Sequence, residues 1–288
     1  MASDGRQGPL QPLRVPSTFG TKLYTDASGF FSADHGDLAD KGDDCYTTAF
    51  RFLVKHSVEV PLHETSSAPA YRWEKLGFVT FHPSPGVFTV FCFDIEAGTE
   101  SLIRKQVLEH KLTTTEAHPL SIQALLLRCI LHRFNDAVWA WRHVTRKLER
   151  SRLHLASETT RDFNQMHEIS RHLIHSTEML NTALSVVECM TKECDVVRNA
   201  VGEQATIACL RDLESSCSLM RALLNRSAAL EKRMENEIAL VSKLVQVRLT
   251  GFSRTLADVT AGFPQELAAR HIHRQPDCAV LSARRADH

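Results

Sequence analysis

A run of apolar residues stepping alternately by three and four positions constrains this chain more than any other feature: Leu127, Ile130, Phe134, Ala137, Trp141, Val144 and Leu148. At about 3.6 residues per turn these side chains form one stripe along a helix, and their spacing is that of a heptad seam. The stripe sorts two neighbouring tryptophans in the stretch FNDAVWAWRH. Trp141 lies on it, while Trp139, about 200° away round the helix, falls outside. Upstream, Pro119 suits a first helical position, where a missing N–H costs nothing. A second helical segment over residues 162–201 carries Phe163, Met166, Ile169, Leu173, Leu180, Leu184 and Val187 on one broad face. A third begins near Gly202 with Leu213, Cys217, Met220 and Leu224, and resumes with Met234, Ile238, Val241, Val245 and Leu249 after a polar interruption at Ser227 and Glu231. Unbroken, it would approach about 70 Å, which favours an elongated bundle. Gly251 and Pro264 end the period.

The residues before the helices follow another grammar. Residues 1–44 are rich in Gly, Pro, Ser and Asp and read as a disordered lead-in. CYTTAFRFLVKHSVEV, residues 45–60, has the β-branched and aromatic content of a strand, or of a strand with a short helix, closed by Pro61. Two more β-rich runs, residues 78–81 and 87–93, flank HPSPG, a loop of the length that joins hairpin strands. In the second run Val87, Thr89, Phe91 and Phe93 alternate with Phe88, Val90 and Cys92, so both faces are largely apolar, which predicts a central strand. The expected fold class is α+β, dominated by α: a small mixed α/β unit over residues 45–117, then a bundle of three long antiparallel or coiled helices over 118–250, and an irregular tail over 251–288.

Thirty-four basic residues balance thirty-four acidic ones, so no net field points to nucleic acid or an anionic membrane. The eight cysteines (Cys45, Cys92, Cys129, Cys189, Cys194, Cys209, Cys217 and Cys278) are scattered without a C-x-x-C pair, and MASDGRQGPLQPLRVP lacks the apolar core of a secretory signal. They read as reduced, mostly buried small hydrophobes of an intracellular protein; structural zinc usually shows ligands paired at short spacing. No window approaches the roughly 20 apolar residues of a membrane span, so a soluble, cytoplasmic chain is expected. G-x-x-x-x-G-K-[ST], G-x-G-x-x-G and G-x-S-x-G are absent from the sequence, and no enzymatic activity is expected. HEISRH, residues 167–172, spaces its histidines i and i+5, which splays the rings by about 140° and does not match the i, i+4 zinc-protease pattern. Glu168, His172 and His175 do share a face at i, i+4 and i+7; they are the candidate metal ligands, against the plainer reading of a solvated polar stripe. His271 and His273 are a second chelating pair, in the tail.

HPLSIQALLLRCILHRFNDAVWAWRHVTRKLERSR (residues 118–152), MHEISRHLIHSTEML (166–180) and ALEKRMENEIALVSKLVQVR (229–248) together resemble the cytosolic part of the fungal CorA-like magnesium-transporter proteins. RWEKLGFVTF (72–81), followed by FDI, is similar to the α/β portion of that family. The resemblance implies an α/β cytosolic domain and very long helices that stack into a funnel in a pentamer. The last helix would run into a membrane span with a Gly-Met-Asn motif at the pore mouth. Here no Gly-Met-Asn occurs and no apolar span follows Arg248. The expected function is therefore that of a CorA-like cytosolic domain protein, not a channel by itself. It would self-associate or associate with CorA-like relatives through its seams, with Mg²⁺ as a possible ligand of acidic helix faces, no certain cofactor, no nucleic-acid partner and no membrane insertion. Two alternatives stand beside it: a helical scaffold or accessory protein acting through protein contacts, and a truncated gene model of a membrane Mg²⁺ transporter.

Overall fold

The computed structural model describes residues 21–35, 45–58, 70–84, 87–110, 118–151, 159–198 and 202–261. Their elements are α1 (Lys22–Asp26), β1 (Gly29–His35), β2 (Tyr46–Val58), β3 (Ala70–Ser84), β4 (Val87–Phe93), α2 (Ala97–Glu109), α3 (Ser121–Ser151), α4 (Thr159–Val196) and α5 (Glu203–Ala261). The chain is mostly helical, with a small four-stranded antiparallel sheet towards its N-terminus followed by long helices. Residues 1–239 and 240–288 form two units, and α5 contributes to both. The predicted tail candidates His271 and His273, Cys278 and Pro264 lie outside the described residues.

The strands pair in sequence order, β1-β2-β3-β4, which makes β2 and β3 central. Partners across an antiparallel ladder share a face. Phe31 pairs with Phe50, Phe50 with Phe78, and Phe52 with Leu76, so one face is a continuous apolar surface. Phe50 stacks on Phe78 with ring centroids 4.8 Å apart. Helix α3 lies on this face: Phe134 meets Phe52 edge-on at 5.8 Å, and the Gln123 amide closes on the hydroxyls of Thr48 and Thr80 with its nitrogen donating to Pro119 O (2.9 Å). Helix α4 packs beside it on β1 and β2. Gly29 permits that approach, because a Cβ there would sit 2.9 Å from Thr182 Cγ2 and 3.2 Å from Arg51 O. At the flank of α3, buried Glu74 accepts hydrogen bonds from His56 Nε2 (2.6 Å) and Arg133 Nε (2.9 Å), and Arg133 reaches Glu96 as well (2.7 Å).

Four sequence expectations change. Part of the expected lead-in is ordered, since α1 and β1 fall within residues 1–44 and β1 supplies a strand of the sheet, while residues 1–20 and 36–44 lie outside the described residues. The run 87–93 is an edge strand rather than a central one, with Val87 53% exposed: apolar residues on both faces give a strand's composition but not its place in the order. Gly251 does not end the last helix, which continues to Ala261; a glycine costs a helix about 1 kcal/mol, too little to break a long one. Ser227 is not an interruption of the third face either, because it is buried and accepts a hydrogen bond from Thr177 Oγ1 of α4 (2.8 Å).

Within residues 1–239, α5 reaches α3 through Arg233 and Glu149 (2.6 Å) and α4 through Arg221 and Glu188 (2.7 Å). Leu213, Met220, Leu230 and Met234 are buried along it. In the second unit, α5 carries Leu240, Leu244, Val247, Leu249 and Phe252 in exposed positions. No helix among the described residues is long and apolar enough to cross a membrane.

Candidate functional site

Between α4 and α5 the chain turns through Gly202, whose φ of 98° lies in the left-handed region that glycine alone adopts without strain. Backbone bonds brace the turn: Val197 N donates to Glu193 O (3.2 Å), Gly202 N to Arg198 O (3.0 Å) and Thr206 N to Gly202 O (3.3 Å). The reversal brings Cys209, in the second turn of α5, against Cys194 near the end of α4. A third group arrives from the start of α3. His118 sits in the preceding turn, where Ser121 N donates to its carbonyl (2.9 Å) and Leu120 N to its Nδ1 (3.1 Å).

These three side chains are shut away from water: Cys194 is 0% exposed, His118 and Cys209 2% each. One donor atom of each lies within 4.8 Å of the other two. His118 Nε2 is 3.4 Å from Cys194 Sγ and 3.3 Å from Cys194 O. The end of the sheet lies beside them. Tyr46 and His82 are register partners on β2 and β3, with ring centroids 6.0 Å apart. Tyr46 Oη donates to Glu193 Oε1 (3.0 Å), which also meets His35 Nε2 (2.7 Å), and Glu193 precedes Cys194 in the chain. His82 Nε2 is buried with no hydrogen-bond partner among the described residues.

The electrostatics follow from this crowding. A hydrogen bond from the Cys209 thiol favours the Cys194 thiolate; it outweighs burial, and with help from His118 draws Cys194 below the usual thiol range. Cys209 moves the other way, because the same bond and its own burial hold its proton on. Burial, and then the neighbouring His118, push His82 down to about 4. Burial and the Glu193 carboxylate drive the Tyr46 hydroxyl well above the usual phenol range. A low thiol beside an imidazole is the composition of a nucleophilic dyad, but a nucleophile must touch its substrate and Cys194 has no exposed surface. Two thiolates and an imidazole are also the donor set that thiophilic divalent cations take.

The sequence-derived trio is placed differently. Glu168 pairs with Arg171 one turn along the helix. His175 Nδ1 lies 2.9 Å from Lys55 Nζ, and that ammonium also sits over the rings of Tyr71 (4.3 Å) and Trp73 (4.7 Å). His172 is buried and stacks on Trp141 at 5.0 Å. Its pKa falls to about 4 through burial and then the Lys55 charge, and His175 is lowered by the same two causes. The donor atoms of Glu168, His172 and His175 are not gathered into one cluster, and the Lys55 ammonium beside His175 repels a second cation.

Sequence reasoning missed His118, Cys194 and Cys209, because no local spacing joins them. One signal was present: Cys194 stands eight residues before Gly202 and Cys209 seven after it, so a reversal at that glycine opposes the two thiols.

No family model matches the chain. It is similar to the "Notoamide biosynthesis cluster protein M'" of Aspergillus versicolor, at 24% identity over 259 residues. The alignment takes in 79% of this chain and 56% of that protein, so the chain spans just over half the length of this relative.

Proposed function

We propose that this chain works as a CorA-like cytosolic domain that assembles with further copies of itself or with related chains, without catalysis of its own. The observation that carries the reading is α5: a 59-residue helix following a small sheet and two other long helices, which is the order of elements that the family resemblance implies. The finer arrangement belongs to the same proposal. Helices α3, α4 and α5 form a three-helix bundle over residues up to 239, supported by the Glu149–Arg233 and Glu188–Arg221 ion pairs and the Thr177–Ser227 bond. Beyond it, Leu240, Leu244 and Val247 recur at i, i+4 and i+7 with 39%, 49% and 68% exposure, a spacing that fits a second helix. Mg²⁺ prefers oxygen ligands and retains several waters, so carboxylates of two subunits could share it without a compact motif.

Light scattering on the purified chain, with and without millimolar Mg²⁺, tests this. An oligomer whose mass responds to Mg²⁺ is expected; a strict monomer indifferent to the ion overturns the reading. The name of the relative supports a second reading, an accessory protein of a natural-product pathway. Deleting the gene in its own host and profiling secreted metabolites separates the two, since a domain confined to magnesium handling leaves that profile unchanged.

A further inference from the structure

The thiol and imidazole cluster has the dimensions of a tetrahedral zinc site. With Zn–S near 2.3 Å and Zn–N near 2.0 Å, tetrahedral ligands stand about 3.8 Å apart for sulfur pairs and about 3.6 Å for sulfur and nitrogen. His118 Nε2 and Cys194 Sγ are 3.4 Å apart, and one donor atom of each of the three residues lies within 4.8 Å of the others. An ion therefore enters with shifts of a few tenths of an ångström to about one. We propose that His118, Cys194 and Cys209 bind one zinc ion, and that the ion fastens the α4–α5 turn to the start of α3.

Two observations besides distance support this. The ligands come from three separate elements and are all buried, as in a closed structural site rather than an open catalytic one. The donor set also decides which ion: thiolates and imidazoles select Zn²⁺ over Mg²⁺, which takes oxygen. The proton count is explicit. Both thiols release their protons to solvent, and the His118 imidazole stays neutral. At His118 the ring proton moves from Nε2 to Nδ1, which sacrifices the Leu120 N–H bond. The site stands independently of the assembly reading, because every ligand belongs to residues 1–239.

Cobalt substitution reads the ligands directly. The whole chain, purified with reductant and stripped of metal, is titrated with Co²⁺ and then Zn²⁺. One equivalent of Co²⁺ is expected, with a thiolate-to-cobalt charge-transfer band in the near ultraviolet and intense tetrahedral d–d bands in the red, both displaced by Zn²⁺ and unmoved by millimolar Mg²⁺. Cys209→Ser and Cys194→Ser should each weaken the charge-transfer band and lower affinity at least tenfold. His118→Ala should lower affinity while leaving the sulfur band in place, and His175→Ala, at the lysine cluster, should change nothing. Reduced wild-type protein that takes up no Co²⁺ or gives no sulfur band overturns the site, whether or not the variants fold. Equal affinity for His118→Ala overturns its assignment as a ligand, and loss of binding in a folded His175→Ala overturns the placement of the site.

Discussion

Replacing Trp141 with alanine tests the seating of α3 on the sheet. The ring is 0% exposed, its Nε1 donates to Lys55 O at 2.9 Å, and its face lies on His172. A buried indole removes about 150–250 Å² from water, worth roughly 4–6 kcal/mol as an upper bound at about 25 cal/mol per Å². Truncations of buried Phe or Trp to Ala cost about 3–5 kcal/mol, and the stranded Lys55 carbonyl adds about 1 kcal/mol. The expected loss is therefore about 4–6 kcal/mol. Trp141→Phe keeps most of the area and loses the hydrogen bond, for about 1–3 kcal/mol. Trp139 is the internal control. Its ring is half-buried under the guanidinium groups of Arg142 (4.8 Å) and Arg226 (4.5 Å), so Trp139→Ala should cost only about 1 kcal/mol. Urea unfolding followed by far-ultraviolet circular dichroism reads the shift in midpoint, at a fixed protein concentration and with the slope checked for constancy. In a chain of this size Trp141→Ala should lower Tm by about 10 °C or more. Equal, small losses at the two tryptophans would refute the placement of α3.

Four shorter tests follow the same logic. His172 is held near 4 in the folded chain against about 6.5 unfolded, so the unfolded state binds the extra proton between those values. Stability is complete above about pH 6.5 and falls towards pH 4, and His172→Phe should remove on the order of 2 kcal/mol of that acid loss in urea midpoints taken across the window. Glu74→Gln should destabilise by about 2–4 kcal/mol at pH 7 in the same assay, because Arg133 and His56 then face a neutral amide in a buried position. Gly202→Val forces a β-branched residue to positive φ and should cost about 1–3 kcal/mol, whereas Gly251→Ala, within a helix, should stabilise by about 0.5–1 kcal/mol. Leu244→Glu with Val247→Glu should shift the light-scattering mass towards the monomer while leaving the thermal midpoint of residues 1–239 unchanged.

The helices were legible because burial on one side leaves a period in the sequence. Leu127, Ile130, Phe134, Ala137, Trp141 and Leu148 are all buried, as their spacing predicts. What the spacing cannot name is the partner. A narrow apolar stripe suits a flat sheet as well as a second helix, and here it meets Phe52 and the backbone of β2 rather than a heptad of the same kind. The sheet was harder to read for a related reason. Strand β1 is seven residues long and flanked by glycine, serine and aspartate, so composition averaged over 44 residues masks it; its place is fixed by pairing with β2 and by the space that Gly29 leaves for Thr182.

The site escaped the sequence because its ligands lie at the ends of helices, where hydrophobic periodicity stops carrying information. Glu168, His172 and His175 are regularly spaced along α4, and that regularity is what a pattern reading can find. It is also what lets each of them meet a different neighbour: Arg171, Trp141 and Lys55. His118, Cys194 and Cys209 have no period in common, and they converge because Gly202 reverses the chain and the turn before α3 points His118 at the same spot. Convergence from three elements is costly in chain entropy. A fold that keeps such an arrangement in its interior needs a compensating interaction at that point, and a metal ion held by thiolate and imidazole supplies one of the right charge, size and geometry.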